Sequence, residues 1–262
     1  MNYEKYVPKK KEKNMRKFSS IIFLSFLSFF IISFILGVSD AFAYRPFVST
    51  DAAVADKNEW EIELGLFSMS HDKGENEIFI PSLRINYGIS KNWEIVGEFD
   101  LQVYKEGEDR DRELTEPALF LKGVLREGLL QNKEGLSFVA ELGVLLPSTV
   151  EGERKAGIEG IVVFSGKTSD LVYHLNLGVE LDREEFAPHG IWGIILEYPF
   201  EGRFRLVAEV NGSFQRDGHP ENSGLIGFIW ESGGIDLDFG IKKGFSTEAS
   251  DWAVTTGIAI SF

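Results

Sequence analysis

From about residue 58 to the end, the sequence repeats one pattern, and that pattern limits what the chain can fold into. Segments of about ten residues alternate apolar side chains with polar, charged or small ones, and clusters of Gly, Asp, Asn, Ser and charge divide them. Trp93, Ile95, Phe99, Leu101 and Val103 share one parity, while Glu94, Glu98, Asp100 and Gln102 share the other. Leu136, Phe138, Ala140, Leu142, Val144 and Leu146 stand in the same way against Ser137, Glu141 and Gly143. Leu171, Tyr173, Leu175, Leu177 and Val179 stand against His174, Asn176 and Glu180. A helix cannot hold a period of two, so each segment is a strand with one greasy and one wet face.

The pattern predicts an all-β fold: a transmembrane antiparallel β-barrel of about twelve strands, an even number as single-chain bacterial barrels have. The expected spans are 58–69, 77–87, 92–104, 115–126, 136–147, 157–165, 171–181, 190–198, 203–214, 223–230, 235–243 and 252–262. A soluble β-sandwich is the alternative, but it needs one continuous apolar interior, whereas here charge falls on one parity of nearly every segment. After Tyr44 no apolar run is long enough for a spanning helix.

The connectors point the same way, since such barrels alternate short periplasmic turns with longer outer loops. Residues 88–91, 166–170, 200–202 and 232–234 are compact. Residues 105–114, 148–156, 182–188 and 215–222 are longer and polar and are expected as exposed loops. The segment 127–135 is the exception, a turn longer and more charged than its periplasmic position calls for.

The first 43 residues read as a cleavable signal peptide. Met15-Arg16-Lys17 supplies the positive region, residues 21–37 the apolar region, and Ala41-Phe42-Ala43 the small-x-small cleavage site, so that Tyr44 begins the mature chain. A transmembrane anchor is the competing reading of the same apolar stretch. Residues 44–57 then form an N-terminal segment, periplasmic or inside the lumen, ahead of a barrel over 58–262. With seven Lys/Arg against three Asp/Glu in residues 1–43, cleavage takes the formal charge from -14 to -18. That balance excludes nucleic acid, whose binding depends on neutralising phosphates. There is no cysteine, so no disulfide or thiolate chemistry is available, and nothing in the sequence calls for a cofactor.

The closing segment carries the most specific local signal. Trp252, Val254, Ile258, Ile260 and Phe262 alternate with Ala253, Thr255, Gly257 and Ser261, and the chain stops on an aromatic residue. Trp252, Ile258, Ile260 and Phe262 are therefore the expected assembly signal, read by the barrel-assembly machinery.

Certain residues carry a family likeness. Tyr44-Arg45-Pro46-Phe47-Val48-Ser49-Thr50-Asp51-Ala52-Ala53, Tyr87-Gly88-Ile89-Ser90-Lys91-Asn92-Trp93-Glu94-Ile95, and Phe138-Val139-Ala140-Glu141-Leu142-Gly143-Val144-Leu145-Leu146-Pro147-Ser148-Thr149 resemble the opening, first hairpin and proline-led strand of an outer-membrane family. It is the "MetA-pathway of phenol degradation", or transporter-like, family. The resemblance implies a barrel that passes small apolar or aromatic compounds. One departure is that residues 114–118 lack the glycine-aspartate run expected before the fourth strand.

The wet parity supplies the candidate lumen residues: Glu94, Glu98, Asp100, Glu141, His174, Glu180, Arg205, Glu209, Asp236 and Asp238. Glu61, Glu63, Arg84, Glu116, Lys122, Arg126, Glu159 and Lys242 fall on it as well. Such a wall makes either a hydrated, cation-favouring pore or an interior closed by Arg–Glu pairs. His174 would serve a lipid hydrolase only with a serine beside it, Ser137 or Ser213 being the candidates; a polar lumen network is the plainer reading. His71, His189 and His219 lie in expected surface loops and match no metal-ligand spacing.

Trp60, Trp93, Trp192, Trp230 and Trp252 fall near expected strand ends, where aromatic girdles meet the membrane interface. The acidic run 105–113 is a solvated loop or a cation-bridged contact with lipopolysaccharide. The expected function is passive outer-membrane transport of small, hydrophobic or aromatic solutes, without enzyme activity. A structural or adhesive barrel is the alternative and a lipid hydrolase the third reading.

Overall fold

The computed structural model describes residues 45–72, 75–106, 109–149, 155–215 and 218–262. The expected signal peptide over 1–43, with Ala41 and Ala43, and the expected mature start at Tyr44 lie outside them.

Twelve strands run antiparallel in chain order: β1 (Trp60–Asp72), β2 (Glu75–Ser90), β3 (Trp93–Glu106), β4 (Asp109–Arg126), β5 (Ser137–Leu145), β6 (Gly157–Thr168), β7 (Leu171–Leu181), β8 (Pro188–Pro199), β9 (Phe204–Gln215), β10 (Glu221–Glu231), β11 (Ile235–Gly244) and β12 (Trp252–Ser261). Each pairs with its sequence neighbours, and β1 pairs with β12 in a register that sets Ile62 opposite Ile260 and Gly65 opposite Gly257. The sheet therefore closes on itself and leaves no edge strand. Among the described residues, no helix is long and apolar enough to cross a membrane.

Alternation becomes two surfaces. Leu142, Leu177 and Ile226 are 64%, 57% and 67% exposed, while their chain neighbours Glu141, Asn176 and Leu225 are 4%, 4% and 3% exposed. The outside is thus apolar and the inside largely polar, the inverse of a soluble protein and the division a lipid solvent demands. A one-residue slip would turn each charged side chain outward, so the register is strongly specified.

The expected loop over 105–114 is corrected. β3 continues to Glu106 and β4 begins at Asp109, with Lys105 opposite Arg110. Here a polar run without apolar alternation reads as a loop although its backbone makes the outer rungs of a hairpin. The β1–β2 hairpin is as tight, with Asp72 opposite Glu75, whereas the outer connectors between Leu145 and Gly157, Leu181 and Pro188, Gln215 and Glu221, and Gly244 and Trp252 separate their strands more widely. His71 and His189 also lie in strands, His71 stacked on Trp252.

The unusual turn over 127–135 folds into a single 3-10 turn, Leu129–Gln131. Leu130 packs on a cluster of Ala52, Val124, Val139 and Val163. Phe47 lies among Ile195, Val207, Leu225 and Ile229. Both clusters include a residue that precedes β1, so the N-terminal segment is part of the barrel's interior packing.

β4 carries a bulge. Glu98 and Asp100 in β3 face Ala118 and Thr115 in β4, and the additional residue is accommodated at Glu116, whose φ is 52°.

Candidate functional site

Residues 45–57 form no strand, so their backbone groups lack ladder partners and must find others. Side chains of the barrel wall supply them. The N–H of Arg45 donates to Glu63 Oε2 at 3.1 Å. Its guanidinium donates to Ser82 at 2.9 Å, to Thr255 at 2.6 Å and to Asp238 at 3.3 Å. The N–H groups of Val48 and Ser49 both donate to Glu209, at 2.9 and 2.8 Å. Thr50 N–H donates to Asn176 Oδ1 at 3.0 Å, and Ala55 N–H to Glu94 at 2.6 Å. These partners stand on β1, β2, β3, β7, β9, β11 and β12. A segment that reaches strands on all sides of a closed barrel runs through its lumen.

Glycines of the wall admit it. A Cβ on Gly193 would lie 1.8 Å from Ser49 Oγ, and one on Gly88 would lie 1.9 Å from the carbonyl oxygen of Asp56. The turn over 127–135 closes on the segment from below, where Gln131 Nε2 donates to the Ala52 carbonyl at 2.7 Å. Lys122 Nζ lies 3.4 Å from both Asp51 and Glu94, which balances two buried carboxylates with one ammonium.

His174 stands in a second network. Its Nδ1 is 2.7 Å from Ser165 Oγ and its Nε2 is 2.7 Å from Glu197 Oε1. Arg205 pairs with Glu197 at 2.8 Å and reaches Asp236 at 3.7 Å. The serine beside His174 is therefore Ser165, across the β6–β7 pair, in place of Ser137 or Ser213. Ser137 Oγ instead accepts the N–H of Leu130, and Ser213 lies higher, beside the cavity described next. Ser165 and His174 have no exposed surface and do not border that cavity. The arrangement has the members of a nucleophilic triad but no room for a substrate, which a reacting site needs.

Above the segment lies a cavity of about 300 Å³ with Val48 and Ser49 in its lining. Glu98, Glu141, Glu159, Glu180 and Glu221 border it, against Arg84 and Lys242. Arg84 is shared among Glu98 at 2.8 Å, Glu141 at 3.6 Å and Glu63 at 3.9 Å. Ile161 and Ile191 provide the apolar wall; Trp192 stands opposite the outward Leu177 and so on the outer face.

At the outer end, Arg183 in the β7–β8 connector reaches the β4 bulge, donating to Glu116 at 3.0 Å and to the carbonyls of Leu146 and Pro117 at 2.9 and 3.3 Å. Asp182 holds that connector by accepting the N–H groups of Glu184, Glu185, Phe186 and Ala187, and it contacts His189 Nε2 at 3.0 Å. Partial burial pushes its carboxyl up, but the donors from Glu185, His189, Phe186 and Glu184 outweigh that and hold it below the usual aspartate value.

The wall thus divides the expected lumen residues among three settings. Glu94, Glu209 and Asp238 bind the N-terminal segment; His174, Arg205 and Asp236 belong to the second network; Glu98, Glu141 and Glu180 border the cavity. Asp100 is half-buried beside Thr115. Glu116 and Arg126 are exposed instead, each next to a shift in strand register. Trp252, Ile258 and Ile260 lie in β12, and Phe262 follows it.

Asn176, Asn211, Ser165 and Glu197 were missed as site residues. The first three sit on the wet parity, a signal that marks facing but not use. Glu197 follows Ile194-Ile195-Leu196, where alternation is blurred.

No family model matches the chain, and no curated protein does. Among solved structures, the barrel is similar to an outer-membrane channel from Pseudomonas putida F1, with 10% identity over 86% of this chain and 100% of that one and a TM-score of 0.58. It is also similar to the NanC porin, with 9% identity over 77% of this chain and 98% of that one and a TM-score of 0.54. At these identities the likeness is one of fold.

Proposed function

We propose that the chain is an outer-membrane barrel that passes small solutes passively and that residues 45–57 are its gate. The observation that carries this reading is the lumen itself, a charged inner wall enclosing a cavity that stops on Val48 and Ser49. A purely structural barrel has no need of a polar cavity beneath its outer loops, because small barrels fill their interiors with side chains. The barrels of the Pseudomonas putida channel and the NanC porin lend support by their common fold. Passive flow needs no energy-coupling element, and the inner wall supplies what permeation requires, polar groups that replace a solute's hydration.

Hydrophobic or aromatic solutes, which the family resemblance implies, are a second reading of the same pore, favoured by Ile161 and Ile191 on the cavity wall. Planar-bilayer recording tests the gate. The full chain is expected to conduct in rare, brief openings, and a variant lacking residues 45–56 to conduct steadily. Silence in both, with the barrel shown to be inserted, refutes the channel and leaves the structural reading.

A further inference from the structure

We infer that the cavity above the N-terminal segment is a binding site for a small organic cation that also carries hydrogen-bond acceptors, such as an amino sugar. The inference rests on the channel reading for its place in transport, but not for binding itself.

The cationic requirement comes from strand register. Glu159 on β6 and Glu180 on β7 are directly opposite each other on the inner face, and both border the cavity. Like charges in that position repel. On the far side of Glu159 the same row continues with Gly143, which brings no side chain. Neither glutamate has an ion-pair partner among the described residues, whereas Arg84 is already shared by three carboxylates. A cation between Glu159 and Glu180 would relieve the repulsion. No group of three or more His, Asp or Glu side chains among the described residues is arranged to hold a metal ion, so an ammonium suits the pair better than a bare metal.

The acceptor requirement comes from the floor. Asn176, Gly193 and Asn211 form one row across β7, β8 and β9, and Ser49 sits over the glycine between the two amides. Both asparagines border the cavity, at 4% and 7% exposure, and neither Nδ2 has an acceptor. The orientation of Asn176 is fixed, because its Oδ1 accepts the N–H of Thr50 and its N–H₂ must therefore point elsewhere. Asn211 Oδ1 accepts from Ser223 Oγ at 2.8 Å, which turns its N–H₂ away in the same manner. A buried donor without an acceptor is costly, and hydroxyl or carbonyl oxygens of a ligand would satisfy both. Four residues of strand separate Asn176 from Glu180, about 13 Å between Cα atoms. After the reach of the side chains, this spacing suits a molecule of monosaccharide length with its cation toward the outer end.

Binding to the full chain, folded in detergent, is measured by ligand-observed NMR with glucosamine, glucose, glucuronate and tetramethylammonium. Glucosamine is expected to bind about tenfold more tightly than glucose, glucuronate not at all, and tetramethylammonium more weakly than glucosamine. The double variant Glu159→Gln/Glu180→Gln should lose about tenfold in glucosamine affinity. Asn176→Asp keeps the acceptor for Thr50 and removes one of the two free donors, so it should reduce the preference for glucosamine over tetramethylammonium. Each variant is checked for the heat-modifiable folded form; if one does not fold, the other carries the test, and the four-ligand series on the wild type stands alone if neither folds. Equal affinity for glucose and glucosamine, or unchanged affinity in the double variant, overturns the site. Binding without conductance in any variant would sustain the site and refute the channel; conductance without binding would do the reverse.

Discussion

Glu209 offers the sharpest test of the gate, because one buried carboxylate holds two consecutive backbone amides. It is 2% exposed and accepts from Val48 and Ser49 at 2.9 and 2.8 Å. Glu209→Gln preserves shape and volume but leaves one acceptor oxygen for two donors, and the new N–H₂ faces one of them. A hydrogen bond to a charged group contributes about 1.5–3 kcal/mol. Losing one and reducing the other to a neutral bond weakens the closed state by about 2–4 kcal/mol. At 1.4 kcal/mol per factor of ten, the low end alone raises the opening constant about thirtyfold. Hydrogen exchange at the Val48 and Ser49 amides should accelerate by that factor, and the open fraction in planar bilayers should rise with it. Glu159→Gln removes the same charge from the lumen but touches no residue of the segment, so it controls for electrostatics. The reasoning fails if exchange at Val48 and Ser49 is unchanged in Glu209→Gln, or if Glu159→Gln raises the open fraction equally.

Three further expectations follow from the same geometry. Leu142→Arg places a charge on the outer face at mid-strand and should weaken folding into lipid vesicles by about 2–4 kcal/mol, whereas Glu141→Gln on the inner face should cost much less; equal losses would refute the assigned faces. Asp182 has a carboxyl pKa below its ordinary value, so its contribution to the outer connector is complete above the unfolded pKa and disappears as pH falls through the folded one. Asp182→Ala should therefore hasten proteolysis of residues 182–188 at pH 7, and the difference between wild type and variant should shrink as pH falls below the ordinary aspartate range; a difference that does not shrink counts against the carboxylate. Ser165→Ala should cost about 1–3 kcal/mol by leaving His174 Nδ1 without its partner, with no effect on turnover of a short-chain ester; loss of such turnover would establish the Ser165–His174–Glu197 group as catalytic.

The barrel was legible because lipid imposes a binary code with a period of two, and each strand states it separately. Leu142 beside Glu141 and Leu177 beside Asn176 carry enough contrast to fix facing without any tertiary information. The code fails where its contrast is missing. Residues 105–106 and 109–114 lack alternation and pass for a loop, although they continue β3 and β4. It fails again at Glu116, where one additional residue in β4 shifts the parity and the expected inward glutamate is exposed.

The use of the inner face was less legible, since parity says which way a side chain points and nothing about its partner. Glu209 and Glu159 look alike in sequence, yet Glu209 serves the backbone of residues 48–49 while Glu159 faces another glutamate. What separates them is the path of a segment more than a hundred residues away, and its residues 45–57 have no period to announce where they go. Below the row of Asn176, Gly193 and Asn211, the wall's polar groups are occupied by that segment; above it they border the cavity. Gate and proposed binding site therefore meet at a single row. Withdrawal of Ser49 and Thr50 would free Glu209 and the Oδ1 of Asn176 into the lumen in one step. The path that opens would then gain a carboxylate directly beneath a cavity already bordered by five, so opening the gate would strengthen the attraction for the cation that the cavity is suited to hold.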